Sequence, residues 1–311
     1  MRYVVQRLVA LIPTIVLATL VVFLMLKLIP GDPATVIAGE YASEETLAQI
    51  RADLRLDDPL PVQYARWAGD AVRGDLGDSL SAQQTVRDAI TSRLPATLHV
   101  VVSALLLSLL IGVPLGFLAG WKADTRIDAG VRWFSTIGIG APNFWIGMLL
   151  VTFFALRLEW FPAIGYRGIT SGPVEAGRYL LLPAIALGAA SIAEMARQTR
   201  SAVLDVRNLD FVRTLRSVGL PERTVVRHVA KNAGLTIVTV LGLQASRLLG
   251  ATVIVEAVFG IPGLGSLVVD SVGKRDYPVV QGVVLVMALL VLLVNLVVDL
   301  SYRFLDPRIR R

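Results

Sequence analysis

Few residues in this chain could catalyse or coordinate, and their spacing argues against most of what they could do. There are two histidines, His99 and His228, and no cysteine. That leaves no disulfide framework, thiolate zinc site, iron–sulfur ligation or cysteine nucleophile, and little room for an imidazole metal cluster. Neither H-E-x-x-H nor G-x-S-x-G occurs. Gly273-Lys274 lacks the upstream glycine of a P-loop and is followed by Arg275, so the chain does not bind ATP by that route. Gly260-Ile-Pro-Gly-Leu-Gly265 looks like a phosphate loop only superficially. It follows an apolar run with no strand before it, and a helix-ending turn is expected. Asn295, Asp299 and Arg303 lie four apart on one helical face, the spacing of a local ion pair. Arg247 is different, because it stands near the middle of the otherwise charge-free run Asn232–Val255. Inside a bilayer a central charge costs about 2.5–3.5 kcal/mol on insertion scales, so it must face a partner or a watery path. Either it holds an anionic group of a transported solute, with Gln244 as a polar neighbour, or it pairs with a carboxylate such as Glu194 or Asp299.

The elements that position these residues follow from composition. Of 311 residues, 55% are hydrophobic and 17% charged, against about 45–50% and about 25% in soluble proteins. Leu8–Leu26, Leu94–Trp121, Trp133–Leu156 and Tyr277–Val298 carry no formal charge; Tyr179–Ala193 runs up to Glu194, and Asn232–Val255 holds Arg247. A membrane-spanning helix needs about 20 mostly apolar residues, and these windows are apolar all round rather than striped. Six transmembrane helices are therefore expected in an all-α membrane protein. Arg2 and Arg7 precede the first window, but its 19 charge-free residues exceed the usual signal-peptide core of about 7–15. No small-residue cleavage site follows, so an uncleaved anchor is expected.

Orientation follows from the basic residues in alternate loops. Met1–Arg7, Trp121–Arg132, Arg197–Asn232 and Arg303–Arg311 together hold 17 Lys and Arg, while Pro30–Pro95, Arg157–Arg178 and Val258–Pro278 hold 11 in a longer total length. With acidic residues included, the two sides carry +11 and −4. Both termini are expected in the cytoplasm. The shorter loops carry this assignment, because a segment as long as Pro30–Pro95 can translocate whatever its charge. The histidines then fall on opposite sides of the membrane, too far apart to form an intramembrane catalytic pair.

Pro30-Gly31-Asp32-Pro33 should end the first helix abruptly. Beyond it, Glu44–Leu56 reads as an amphipathic helix with Leu47, Ile50 and Leu54 on one face. Pro59 and Pro61 break it. Val62–Arg73 makes another, aligning Tyr64, Trp67, Ala68, Ala71 and Val72, and Thr85–Leu94 gives a third short one. Together these make a small helical extracytoplasmic insertion. The loop Arg197–Asn232 carries eight Lys and Arg and a Gly-Leu-Pro break at Gly219–Pro221. Leu209–Val218 can form a short helix with Phe211, Leu215 and Val218 on one face, and Glu222–Ala233 a second leading into the fifth span. Such a loop is a solvated positive-inside connector, a binding surface for anionic lipid, or a docking helix for a cytoplasmic protein.

A series of motifs in order points to one family: Leu28-Ile-Pro-Gly-Asp-Pro-Ala34, Leu56-Asp-Asp-Pro-Leu-Pro61, Gly74-Asp-Leu-Gly-Asp-Ser79, Arg93-Leu-Pro-Ala-Thr97, Trp160-Phe-Pro-Ala163, Val258-Phe-Gly-Ile-Pro-Gly-Leu-Gly265, Arg275-Asp-Tyr-Pro278 and Asp306-Pro-Arg308. From end to end the chain resembles the B-type membrane subunit of bacterial ABC importers of the dipeptide/oligopeptide/nickel class. Asp210-Phe-Val-Arg-Thr-Leu-Arg-Ser-Val-Gly-Leu-Pro221, followed by Arg227-His228 and Asn232, resembles the EAA loop that docks into a groove on an ATPase subunit. The sequence departs from that pattern at Leu215, where the family commonly has Ala, and at Val218, where it commonly has Lys.

The resemblance implies a type I ABC importer permease fold. It implies a first helix over 1–29, an extracytoplasmic region over 30–95, a transmembrane core over 96–303 with its coupling loop at 197–232, and a tail over 304–311. It implies a multi-pass protein of the bacterial plasma membrane, paired with a second, homologous permease subunit. Two ATPases would bind below, holding ATP and Mg that this chain does not bind, and an extracytoplasmic solute-binding protein would deliver from above. No nucleic acid is involved, and the chain is not itself an enzyme. Coupling would fall to Asp210, Phe211, Arg213, Thr214, Leu215, Gly219 and Leu220, and the translocation pathway to Arg247 and Gln244. Peptides are favoured over nickel as cargo, because the chain offers no cluster of soft or imidazole ligands. A nucleotide-independent transporter is the alternative class, and it would move solute without partners.

Overall fold

The computed structural model describes residues 2–28, 33–38, 42–53 and 55–305. In chain order the helices are α1 (Arg2–Leu28), α2 (Pro33–Ala38), α3 (Glu44–Asp53), α4 (Leu60–Val72), α5 (Val86–Leu107), α6 (Val113–Trp121) and α7 (Arg126–Gly140). They continue with α8 (Asn143–Leu150), α9 (Pro173–Arg207), α10 (Asp210–Ser217), α11 (Glu222–Phe259), α12 (Leu264–Gly273) and α13 (Tyr277–Leu305). Val86–Trp121, Pro173–Arg207, Glu222–Phe259 and Tyr277–Val298 are each long and apolar enough to cross a membrane. Arg126–Gly140 with Asn143–Arg157 qualifies only as a pair bent by 102°. Ile12–Met25 is a shorter apolar stretch within α1.

Several elements differ from the sequence expectation. Trp133–Leu156 is not one straight helix: Ala141 and Pro142 are extended, and Pro142 caps a new helix, as expected where proline bars its predecessor from α geometry. Thr85–Leu94 is not a separate short helix. Thr85 caps the Asp88 amide at 3.0 Å and α5 then runs through Pro95 into the second span. Pro61 does not break a helix but sits in the first turn of α4, where its missing N–H costs nothing. Val72 is 89% exposed, outside the face formed by Tyr64 and Trp67. The first third of the supposed loop 197–232 is helical, because α9 continues to Arg207. Leu54, the segment 29–32 and Asp306-Pro-Arg308 lie outside the described residues.

The chain divides into two units, Met1–Pro95 with Pro262–Leu292 and Ala96–Ile261 with Leu293–Arg311. In the first, Tyr64 of α4 reaches α1, meeting Thr19 Oγ1 at 2.9 Å and the Phe23 ring edge-on at 5.6 Å. Val86, Ala89 and Ile90 of α5 pack with Leu264 and Leu267 of α12 and Val279 and Val283 of α13. The Asp276 carboxylate, fully buried between α12 and α13, accepts from Ser79 Oγ at 2.5 Å, Ser81 Oγ at 2.8 Å and the amides of Leu80 and Ser81 at 3.1 and 3.0 Å. Burial pushes this carboxyl up, but the four donors together outweigh it and hold it below the usual carboxylate range.

The second unit is built around α9, the most buried of the long apolar helices. Its neighbour across the closest seam is the stretch from the π-helical turn Ser108–Gly112 through α6. Gly112, Gly116 and Gly120 lie four apart and face the carbonyls of Ile192, Ala196 and Arg200, so close that a Cβ on Gly112 or Gly120 would sit 2.7 or 2.8 Å from those oxygens. This small-xxx-small spacing lets two backbones touch, which drives helix association where lipid removes the hydrophobic difference. On an adjoining face of α9, Gly138 of α7 would place a Cβ 2.7 Å from that of Ala193. Asp128, fully buried at the start of α7, is bonded by Arg200 Nε and by Nη2 at 2.8 Å, with Arg132 at 3.7 Å.

Candidate coupling helix and translocation face

The segment between α9 and α11 is shaped by its end signals. Asp210 stands in the first turn of α10, where a negative charge suits the helix dipole. At the other end the Gly219 amide donates to Arg216 O at 3.0 Å and the Leu220 amide to Leu215 O at 3.2 Å. Gly219 has φ +74°, so this is a Schellman ending with glycine at the left-handed position. Pro221 follows and caps α11. The expected helix and its glycine stop are therefore both present, with α11 continuing unbroken from Glu222 to Phe259.

The inward face of α10 is set by Val212 and Leu215 rather than by Phe211 or Val218. Val212 is fully buried among Ala202 and Val203 of α9 and Val225, Val229 and Ala233 of α11, and Leu215 leans on that cluster. Phe211 at 36%, Leu220 at 39% and Val218 at 69% remain exposed. Val212 with Leu215 is an i,i+3 apolar pair, a signal present in the sequence but masked by the larger Phe211. Asp210 and Arg213 make an i,i+3 ion pair at 3.4 Å out in solvent, and Thr214 Oγ1 donates to Asp210 O at 3.1 Å. Arg216 donates to Glu222 Oε1 at 2.9 Å. The outer surface of α10 thus shows apolar side chains among charges, with few bonds of its own to the rest of the chain.

The two pathway candidates are in unlike surroundings. Gln244 is buried, its Oε1 accepting from Ser191 Oγ of α9 at 3.1 Å. Arg247, one turn on, is exposed on the same side of α11 as Leu243, Gly250 and Ile254. Glu194 does not close an ion pair with it. That carboxylate is held by Arg197 Nη2 at 2.6 and 2.8 Å and by Gln198 Nε2 at 2.8 Å. Among the described residues Arg247 has no hydrogen bond or ion pair; the side chain of Asp299 lies outside them. Asn295 accepts from Ser246 Oγ at 3.1 Å, while the side chains of Asp299 and Arg303, expected to pair on the same helical face, lie outside the described residues. Sequence reasoning also missed a buried pair, Thr97 Oγ1 donating to Glu256 Oε1 at 2.6 Å. His99 Nδ1 meets Tyr166 Oη at 2.5 Å. Among the described residues no group of three or more His, Cys, Asp or Glu side chains could hold a metal ion.

Long apolar helices around α9, a short capped helix on α9 and α11, and an exposed arginine midway along an otherwise apolar face of α11 define the class: a multi-pass helical membrane protein. The known proteins make this specific. Residues 112–311 match the family of the binding-protein-dependent transport system inner membrane component, and residues 1–101 match the N-terminal membrane component of the same systems. The chain belongs to this family of inner-membrane permease subunits. It is 41% identical over 309 residues, 99% of each chain, to a Sinorhizobium fredii protein named "Probable peptide ABC transporter permease protein y4tP". It is 40% identical over 312 residues, 100% of this chain and 99% of the other, to the glutathione transport system permease protein GsiC of Salmonella paratyphi A.

Proposed function

We propose that this chain is the pathway-forming subunit of an ATP-driven importer that takes up dipeptides or oligopeptides by alternating access. Its similarity along almost its whole length to permeases named for peptides and for glutathione, itself a tripeptide, carries the choice of cargo. In this reading α1, α5 with α6, the bent α7–α8 pair, α9, α11 and α13 are the six spans. Residues 30–95 form the extracytoplasmic insertion and both termini are cytoplasmic. A second permease subunit completes the pathway, two ATPases bind below and a solute-binding protein delivers from above.

Asp210, Phe211, Arg213, Thr214, Leu215, Gly219 and Leu220 form the ATPase-docking element. Support comes from the exposure of Phe211 on a helix that Val212 anchors and Gly219 ends, and of Leu220 just beyond it. Arg247 and Gln244 mark the pathway. The exposed guanidinium at mid-span cannot face lipid, and a peptide carboxylate is the kind of group it would attract. The test is uptake of labelled di-, tri- and longer peptides, with nickel in parallel, in cells with and without this subunit. Peptide uptake lost on deletion and restored by complementation is the expected result. Intact peptide uptake with lost nickel uptake would keep the architecture and overturn the cargo.

A further inference from the structure

Trp121, the last residue of α6, is enclosed by the two segments that flank the start of the coupling loop. Arg216 of α10 places its guanidinium carbon 5.8 Å from the indole centroid, and Arg207 at the end of α9 places its own at 5.9 Å. Arg207 Nη1 also donates to the Trp121 carbonyl at 2.7 Å and to the Gly120 carbonyl at 3.3 Å, satisfying acceptors that a helix C-terminus leaves open. Phe117, one turn earlier, stacks on the indole at 5.9 Å and 7°. Phe117 and Trp121 also pack against the cluster that buries Val212 of α10. Immediately before Trp121 lies the glycine seam, where Gly112, Gly116 and Gly120 bring the helix that ends at Trp121 too close to the α9 backbone for any Cβ to fit between them.

We infer that Trp121 is a positioning residue for energy coupling. Displacement of α10 passes through Arg216 to the indole, and from there into the α6–α9 pair as one body. The inference rests on α10 being the ATPase-docking helix, but it adds where the motion goes: into the second span as well as along the covalent connections to α9 and α11. A guanidinium over an aromatic face suits this task, because the contact is held by charge against the ring quadrupole and tolerates small tilts.

The experiment uses the complete importer in proteoliposomes, with the loaded binding protein and a labelled dipeptide, and reads both ATP hydrolysis and uptake. Trp121→Leu keeps an apolar side chain but removes the π face, Trp121→Phe keeps a π face, and Arg216→Gln removes the cation. Expected is normal co-purification of the ATPases and hydrolysis within about twofold. Transport per ATP should fall about fivefold in Trp121→Leu and Arg216→Gln, the scale of a lost cation–π contact. Trp121→Phe should stay near the parent, and the double variant should be no worse than Trp121→Leu, since both remove one interaction. Unchanged transport per ATP in Trp121→Leu overturns the inference, as do additive losses in the double variant. Loss of ATPase co-purification in both single variants also overturns it, because Trp121 would then only shape the dock. Phe211→Asp separates the underlying reading: if the ATPases still co-purify with that variant, docking through α10 is what fails.

Discussion

The seam between α6 and α9 and the packing of α10 are both contacts made by α9, yet they are fastened in opposite ways. The seam is three glycines on one face against main-chain carbonyls and the Cβ atoms of Met195, Thr199 and Val203, too close for any added Cβ to fit. α10 is eight residues long, too short to persist alone, and it is held by the fully buried Val212, a half-buried Leu215 and a glycine ending. The first arrangement makes a body with one way to fit, and the second an appendage that can follow whatever binds it. Under the function proposed above that division is useful: stability is concentrated where helices must not slip, and the segment proposed to dock a partner comes from the weakly held end of the range.

The strongest way to break this contrast is to fill the seam. A Cβ on Gly116 would meet Thr199 Cβ at 2.7 Å and also crowd the Ala196 carbonyl, and neither atom belongs to a flexible end. Gly116→Leu should therefore destabilise by about 3 kcal/mol or more, read as loss of folded subunit and a lower Tm in mild detergent. Gly177, near the start of α9, has nothing within 4 Å of its virtual Cβ. Gly177→Ala should be neutral or gain about 0.5–1 kcal/mol from reduced chain entropy. If the two variants melt alike, the seam is not the rigid element described.

Asp128 tests the polar latch beside that seam. Its carboxylate is fully buried, and Asp128→Ala leaves Arg200 without its partner. Breaking a buried pair from one side costs about 3–5 kcal/mol, and the low end applies because Arg200 keeps 21% of its side chain in solvent. Arg200→Leu added to Asp128→Ala should recover part of the lost Tm. A double variant less stable than Asp128→Ala alone would show that Arg200 is held by something other than this carboxylate.

The other unit offers a third kind of fastening, a loop held by one carboxylate. Because donation from the serines and amides depresses the Asp276 pKa in the folded protein, its stabilisation is fully present above the ordinary carboxylate value of about 4. It is lost as pH falls through the lower, folded value. Amide exchange at residues 79–82 should thus rise below about pH 4 in the parent protein. In Asp276→Asn it should be high already at pH 7, by about 1–3 kcal/mol of lost protection. Equal protection in both proteins at pH 7 would show that the loop does not depend on this carboxylate.

How much of this was legible in the sequence follows from which signals are one-dimensional. Charge-free windows and glycine–proline stops are local, so the apolar helices, α10 and the turn at Gly260 (φ +59°) could all be read directly. Asp128, Glu256 and Asp276 could not, because each is paired across 70 residues or more and nothing in the spacing marks the partner. The bend at Pro142 was masked by the even hydropathy of its window, and Val212 by the larger Phe211 beside it. The glycines at 112, 116 and 120 were visible as a pattern, but only the facing carbonyls of α9 show what the pattern is for.

A small expected effect on stability, with the sharpest on function, belongs to Gly219. Its φ of +74° and the open space around it separate backbone conformation from crowding: no neighbour lies within 4 Å of a Cβ there. Valine at this position pays only the left-handed backbone penalty, about 1–2 kcal/mol, with the β-branch at the upper end. Most of that strain can be relieved by unwinding the last turn of α10, leaving the glycine seam and the Tm of the subunit almost unchanged. An α10 that no longer ends at Ser217 cannot present its outer face at a fixed angle. Gly219→Val should therefore keep the complex assembled and hydrolysing ATP while uptake falls at least tenfold, about the factor given by 1.4 kcal/mol. Asn tolerates the left-handed region, so Gly219→Asn should retain most uptake. Failure of Asn as severe as that of Val would mean that Gly219 is needed for close approach of a partner rather than for its backbone angle, and α10 would then be a fixed contact surface instead of a movable one.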